Sequence, residues 1–283
     1  MLELMPSAPS QQSDPQPWWP YLHGVAAIGL FLRLVVALGS DQINHPDEIF
    51  QYLEQAHRMV FGYGYIPWEY RFGLRSLIIP IALSLPLRLL QVLQLDRPDI
   101  YIPLIKTILC VISISLIYGL YSLGRQTVSE SVGRMAAIIA SFWHELVVFA
   151  HKPTPECLAT YLLIGALVCL VNRPQWHHSR WHLSSWTAVG LGVMAAGVVA
   201  LRLQYAPAVL VLGLAMVILW RSRPAQMALV IATFGLTLMG VGYVDYLTWG
   251  IWFGSYYNNY LYNQTYGISS LFGRVFFSTI SVR

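Results

Sequence analysis

Mostly apolar runs recur along this 283-residue chain, at roughly 19–39, 76–95, 101–123, 133–150, 155–171, 184–201, 204–220 and 225–247. Runs of that length admit few folds. In hydrocarbon no water is available to the backbone, so every N–H and C=O must be satisfied inside the segment, which leaves the helix. The expectation is an all-α, polytopic transmembrane bundle. Composition agrees, since 56% of the residues are hydrophobic and 11% charged, against about 25% charged in a soluble domain. The mean hydropathy is +0.54.

These totals exclude several function classes. The net charge of +4 would suggest nucleic acid in a soluble protein, but in a membrane chain basic residues collect in loops and set topology, so no nucleic-acid partner is expected. Cys110, Cys157 and Cys169 lie in apolar stretches without metal or disulfide spacing and read as small packing residues. Residues 1–18 carry no Lys or Arg and are rich in Ser, Gln and Pro, which predicts a disordered tail ahead of a retained first span. Residues 19–247 then form the membrane domain and 248–283 an aromatic tail.

Charge sets the expected topology. The connections holding Arg125 and Arg134, Arg173 and Arg180, and Arg221 and Arg223 lie two spans apart, which places them together on the cytoplasmic side. The connections near Lys152 and Arg202 and the tail after Asp245 then face outward. Loop 40–75 joins them only if segment 76–95, which holds Pro80, Pro86 and Arg88, does not cross fully.

Loop 40–75 concentrates the charge of the chain. It holds Asp41, Asp47, Glu48, Glu54 and Glu69, five of the 13 carboxylates, with His45, His57, Arg58, Arg71 and Arg75. Asn44 suits an N-cap and Pro46 a first helical turn. Asp47 and Glu48 would sit in that turn, where the helix dipole favours negative charge. Ile49, Tyr52, Leu53, Ala56 and Val60 repeat at helical spacing, predicting an amphipathic surface helix with these residues inward and the Glu54–Arg58 pair outward. Two readings of Asp47 and Glu48 stand at this point: dipole caps, or groups that act on a polar headgroup at the interface.

Outside the loop, Glu156 and Asp245 end apolar runs, where a carboxylate is costly unless paired or facing a cavity. His177, His178 and His182 sit among Trp176, Arg180 and Trp181 and read as interfacial, so no metal is expected. Trp249, Trp252, Tyr256, Tyr257 and Tyr260 suit either sugar stacking or membrane anchoring. Asn263-Gln264-Thr265 is a glycosylation sequon.

The run His45-Pro46-Asp47-Glu48-Ile49-Phe50-Gln51, followed by Glu54 through Arg58, Gly62-Tyr63-Gly64 and Trp68-Glu69, resembles the first extracytoplasmic loop of the dolichyl-phosphate-mannose-dependent α-mannosyltransferases, glycosyltransferase family 22. The likeness continues through Arg75 and Pro80, with echoes at Thr154-Pro155-Glu156, Arg202-Leu203-Gln204 and Asp245-Tyr246 to Trp252. Family members usually have proline where this chain has Leu203.

The resemblance implies a GT-C fold with an extracytoplasmic loop helix after the first span. It also implies inverting transfer of mannose from a polyprenyl-phosphate donor to a glycan or glycolipid acceptor, without a cofactor. It casts Asp47 as catalytic base, with Glu48 positioning the acceptor or sharing the role. His45, Arg58, Glu69, Arg71, Arg75, Arg202 and Asp245 become candidates for binding the donor, because an ionised phosphate leaving group needs cations and hydrogen bonds. The setting would be the endoplasmic reticulum membrane in a eukaryote and the plasma membrane in a bacterium. Family members continue beyond the aromatic tail, which makes a companion C-terminal half an expected partner. Two other classes are a lipid-linked-sugar transporter, which would show an internal repeat and acids at mid-membrane, and a non-catalytic homologue that binds lipid-linked sugar.

Overall fold

The computed structural model describes residues 18–39, 46–171, 185–219 and 224–268. Among these, all regular structure is helical. The helices are α1 (Trp19–Gly39), α2 (Glu54–Phe61), α3 (Trp68–Arg71), α4 (Ile78–Val92), α5 (Pro98–Thr127), α6 (Glu130–Phe142), α7 (His144–Val148), α8 (Pro155–Val171), α9 (Ser185–Leu201), α10 (Ala206–Leu219), α11 (Pro224–Trp249) and α12 (Gly254–Tyr260). Two π-helical segments, Glu48–Leu53 and Leu261–Thr265, adjoin α2 and α12.

Every predicted apolar run is helical, but the runs are not equivalent. Pro20–Gly39, Pro98–Thr127 and Pro224–Trp249 are long and apolar enough to cross a membrane. A fourth span arises if Glu130–Phe142 and His144–His151, bent by 57°, count as one. The other four apolar helices are shorter. At 1.5 Å per residue, the 15 residues of α4 reach about 22 Å, short of a hydrocarbon layer of about 30 Å. Segment 76–95, whose full crossing its prolines and Arg88 put in question, is a short helix with Pro86 inside it.

Three of the four hydrophobic clusters among the described residues set the arrangement of the bundle. Leu22 and Ala26 of α1 pack on Ile117 and Tyr121 of α5 and on Ala137 and Ala140 of α6. Ala166 and Leu170 of α8 meet Ala188 and Leu191 of α9, Leu212 and Met216 of α10 and Val230 of α11. The third cluster packs Tyr52 and Ala56 onto Ile79, Leu83, Leu87 and Leu90 of α4 and Tyr101, Ile105 and Leu109 of α5. Here α4 acts as a platform for the acidic loop. Leu210, Leu214, Ile218, Ile231 and Leu236 stay exposed, as a lipid solvent permits.

An arginine inside a span explains the bend between α6 and α7. Arg33 of α1 is fully buried. Its Nη2 donates to the Ala140 carbonyl at 2.7 Å, and its Nη1 to those of Ser141 at 3.2 Å and Gly29 at 2.9 Å. Ala140 and Ser141 lie in the last turn of α6, where carbonyls lose their intrahelical partners. In an apolar surround those carbonyls need a donor, and Arg33 supplies it.

The helix ends sort the charges. Trp18 stacks on Tyr121 with ring centroids 5.4 Å apart and lies under the Arg134 guanidinium, and Glu130 pairs with Arg125 and Arg134. Tyr101, at the other end of α5, lies against His57 of the loop helix. Twenty-four residues of helix, roughly 36 Å, separate Arg125 from Tyr101. Asn258 of α12 donates to the Phe72 and Gly73 carbonyls, so the acidic loop and the aromatic tail share one end of the bundle.

Candidate functional site

The loop helix turns its polar residues inward. Periodicity predicted Ile49, Tyr52, Leu53, Ala56 and Val60 on the buried face. Tyr52 and Ala56 are buried, but their buried neighbours are Glu48, Gln51 and Gln55, while Ile49, Leu53 and Val60 are half-buried. Each inward polar group has a reason. Glu48 Oε2 lies 2.7 Å from Lys152 Nζ, both side chains at most 7% exposed. Gln51 Nε2 donates to Glu69 Oε1 at 2.9 Å, and the Tyr70 hydroxyl donates to the Gln51 carbonyl at 2.7 Å. Gln55 Nε2 donates to the carbonyls of Phe50 and Tyr65. Buried polar groups persist where such partners exist.

The helix begins where Ile49 and Phe50 donate their N–H groups to the Pro46 carbonyl. It ends at Gly62, whose φ of 82° only glycine adopts without strain. Glu54 and Arg58 do not face each other as the spacing predicted. Glu54 Oε1 accepts from the Tyr65 N–H at 2.7 Å, and Arg58 Nη1 donates to Gln55 Oε1 at 2.9 Å. The Glu54 contact closes the turn around Gly64.

Beside the loop helix lies a cavity of about 340 Å³. Loop 46–75 and the start of α4 contribute Tyr52, Tyr70, Arg75 and Ser76; the α9–α10 junction contributes Arg202 and Gln204. From α12 and the π-helical segment after it come Tyr256, Asn259, Asn263 and Gln264. Arg202 forms an ion pair with Glu156. Arg75 Nε and Ser76 Oγ are buried without a partner among the described residues. An orphaned donor in a lined cavity is a place for an anionic or hydroxylic ligand.

Tyr52 sits at the electrostatic centre. Burial foremost pushes its hydroxyl up to about 12; Arg75 and Arg202 draw it down, while Asp47 and Glu69 push it up. Asp47, Glu69, Arg75 and Arg202 thus all act on one hydroxyl. Tyr70 and Tyr256 are also pushed above the usual phenol range, chiefly by burial. All three remain neutral hydroxyls at physiological pH.

The far wall is anchored from behind. Asp245, fully buried near the end of α11, accepts through Oδ2 from the Ser255 N–H at 3.0 Å and the Ser255 hydroxyl at 2.5 Å. Tyr256 donates its hydroxyl to the Ala200 carbonyl. Asp245 is therefore a support of α12 and is not among the residues lining the cavity.

The candidate residues divide accordingly. Arg75 and Arg202 line the cavity together with Tyr52, whereas Asp47 and Glu69 are not among its lining residues and act on Tyr52 electrostatically. Glu48 is engaged by Lys152, and Asp245 by Ser255. Arg58 bonds within the loop, as does Arg71, whose Nε donates to the Ile66 carbonyl at 3.1 Å. His45 lies outside the described residues, as do His177, His178 and His182. Among the described residues, no group of three or more His, Cys, Asp or Glu is placed to hold a metal. Sequence reasoning missed the roles of Lys152, Tyr52 and Tyr70. Lys152 served only to mark topology, though a lone cation before proline at the end of an apolar run was a signal for a buried partner. Glu156 does find the partner that its position demanded.

The profile of the Alg9-like mannosyltransferase family matches residues 25–277. A GPI mannosyltransferase 3 of Trypanosoma brucei brucei is 39% identical over 80 residues, 28% of this chain and 13% of that protein. The mannosyltransferase APTG1 of Arabidopsis thaliana is 47% identical over 73 residues, 26% of this chain and 13% of its own length. A GPI alpha-1,2-mannosyltransferase 3 of Danio rerio is 49% identical over 51 residues, 18% and 10% of the two chains. The matched stretches thus span about an eighth of these relatives or less. No solved structure matches the chain.

Proposed function

The chain belongs to the Alg9-like mannosyltransferase family, and from that premise we propose that it is a multi-pass membrane glycosyltransferase that moves mannose from a polyprenyl-phosphate donor onto a hydroxyl of a glycan or glycolipid, with inversion. The observation that carries this reading is the cavity lined by Arg75, Arg202 and Tyr52 next to the acidic loop, whose Asp47 and Glu69 act on Tyr52 electrostatically from outside the lining. A phosphate leaving group and a base are the two things such a transfer requires.

In this reading the donor phosphate docks on Arg75, with its unpartnered Nε, and on Arg202, where charge-assisted hydrogen bonds are strongest. The Ser76 and Tyr52 hydroxyls donate beside it. The acceptor oxygen attacks the sugar C1 from the face opposite the phosphate. The C1–O(phosphate) bond breaks, and polyprenyl phosphate leaves with the electron pair. The acceptor proton passes to the Asp47 carboxylate, which must come within about 3 Å of that hydroxyl. Developing negative charge on the phosphate is met by guanidinium groups already in place.

Glu48 is assigned a different role from Asp47. Its carboxylate is held by Lys152, so it positions the first turn of the loop and leaves the base role to its neighbour. Glu69 orients Gln51, and Asp245 holds the wall. Arg58 and Arg71 rim the loop, and with His45 they meet the headgroup or the acceptor. The partners in this reading are the lipid-linked donor, the acceptor and membrane lipid. The loop end faces the extracytoplasmic side, which is the lumen of the endoplasmic reticulum in a eukaryote.

The test is transfer of radiolabelled mannose from polyprenyl-phosphate mannose to lipid acceptors in membranes, comparing wild type with Asp47→Asn. A loss of roughly 10²–10⁴-fold in the variant, the usual contribution of a general base, supports the reading. Undiminished transfer by Asp47→Asn removes Asp47 as the base, and absence of transfer by folded wild type removes the enzymatic reading.

A further inference from the structure

The far side of the cavity carries a chemistry that phosphate binding does not use. Arg75 and Arg202 are its cationic members. Asn259, Asn263 and Gln264 contribute side-chain amides, next to the tyrosines at 256 and 260. Amides both donate and accept. They have little to offer a phosphate already served by two guanidiniums, but they match the alternating donors and acceptors of sugar hydroxyls.

The backbone presents this row deliberately. Asn259 lies in α12, while Asn263 and Gln264 lie in the π-helical segment Leu261–Thr265. An α-helix would set the three at uneven angles, whereas the wider π turn alters the register after Tyr260. Single π turns inside helices are often found at functional sites. The other π-helical segment among the described residues, Glu48–Leu53, supplies Tyr52 to the same cavity. Asn263 Nδ2 donates to the Asn259 carbonyl at 3.0 Å and contacts its Oδ1 at 3.3 Å, which orients the Asn259 amide. Three contacts hold the wall from outside the row: Asp245 on Ser255, the Tyr256 hydroxyl on Ala200, and Asn258 on Phe72 and Gly73. These contacts fix the row relative to the acidic loop.

Resting on the transferase reading above, we propose that Asn259, Asn263 and Gln264 form the carbohydrate subsite of this cavity, taking the hydroxyls of a neutral hexose. That hexose belongs either to the donor or to the acceptor, since both present the same chemistry.

Equilibrium binding to the purified full chain separates these sources, because it does not require turnover. The probes are polyprenyl-phosphate mannose, bare polyprenyl phosphate and octyl α-mannoside. Gln264→Leu and Asn259→Ala are each expected to weaken a mannose-bearing probe roughly threefold to tenfold, the size of one net hydrogen bond. Bare polyprenyl phosphate should stay within about twofold of wild type, an invariance that a merely misfolded wall would not show. Weakening of polyprenyl-phosphate mannose assigns the row to the donor sugar. Weakening of octyl α-mannoside alone assigns it to the acceptor sugar. Equal losses for all three probes, or no change in any, overturn the subsite. A wild type that binds the sugar probes through this row but transfers nothing would sink the transferase reading and leave the subsite standing.

Discussion

At the residue scale, two neighbours in the sequence have opposite fates. Asp47 remains half-exposed, whereas Glu48 is buried against Lys152. Removing one partner of a buried pair leaves an uncompensated charge, which costs about 3–5 kcal/mol. Lys152→Ala should therefore lower the thermal unfolding midpoint in detergent markedly. The double variant Glu48→Gln/Lys152→Gln should recover much of that loss, since no charge is then stranded. If Lys152→Ala unfolds like wild type, the pair holds nothing. Tyr52 gives a pH signature. Its folded pKa is raised to about 12 by burial, above the ordinary phenol value near 10. The stability this contributes is complete below about pH 10 and is lost as pH rises toward 12. Tyr52→Phe should lose less stability than wild type across that alkaline window, with the difference read as a flatter curve of unfolding midpoint against pH. The acids of the loop were legible as an unusual concentration of charge. Which of two adjacent carboxylates is buried was not, because that depends on a lysine about a hundred residues away.

At the scale of elements, helix positions were readable and helix lengths less so. Apolar runs bounded by Pro98, Pro155 and Pro224 begin helices where proline tolerates a first turn. The inward face of the loop helix was misread by about one residue, because periodicity assumes that apolar side chains go inside. Here polar side chains bring partners with them. Gly62→Ala should destabilise the loop by about 1 kcal/mol, since alanine resists a φ of 82°. Hydrogen exchange of residues 54–65 would show this as faster opening confined to that segment. The α5–α6 contact is tighter still. A Cβ on Gly133 would lie 2.7 Å from the Tyr121 carbonyl oxygen, and one on Gly124 would lie 2.9 Å from the Gly133 Cα. Gly133→Leu should force the two helices apart and lower stability by about 1–3 kcal/mol, visible as a reduced unfolding midpoint. Arg33 was not legible as a structural residue. A charge in an apolar run suggests topology or transport, and only the bent pair reveals carbonyls that need it.

At the scale of the whole molecule, the acidic loop, the α9–α10 junction and the aromatic tail occupy one end, and the Glu130 cluster occupies the other. Cysteines placed singly at Tyr63 and Tyr257, both exposed, should label from the same side of sealed vesicles with a membrane-impermeant thiol reagent, and one at Gln126 from the opposite side. Labelling of Tyr63 and Tyr257 from different sides would contradict this arrangement. The sequence by itself determined that the chain is helical and polytopic, and that its charge is concentrated in residues 40–75, because hydrophobic runs and charge density are local properties. Only the tertiary structure decided that α4 carries the loop as a short helix, that Glu48 belongs to Lys152, and that an amide row from the tail faces Arg75 and Arg202 across one cavity. Those outcomes depend on which distant groups can satisfy one another once water is gone, and no local pattern records that pairing.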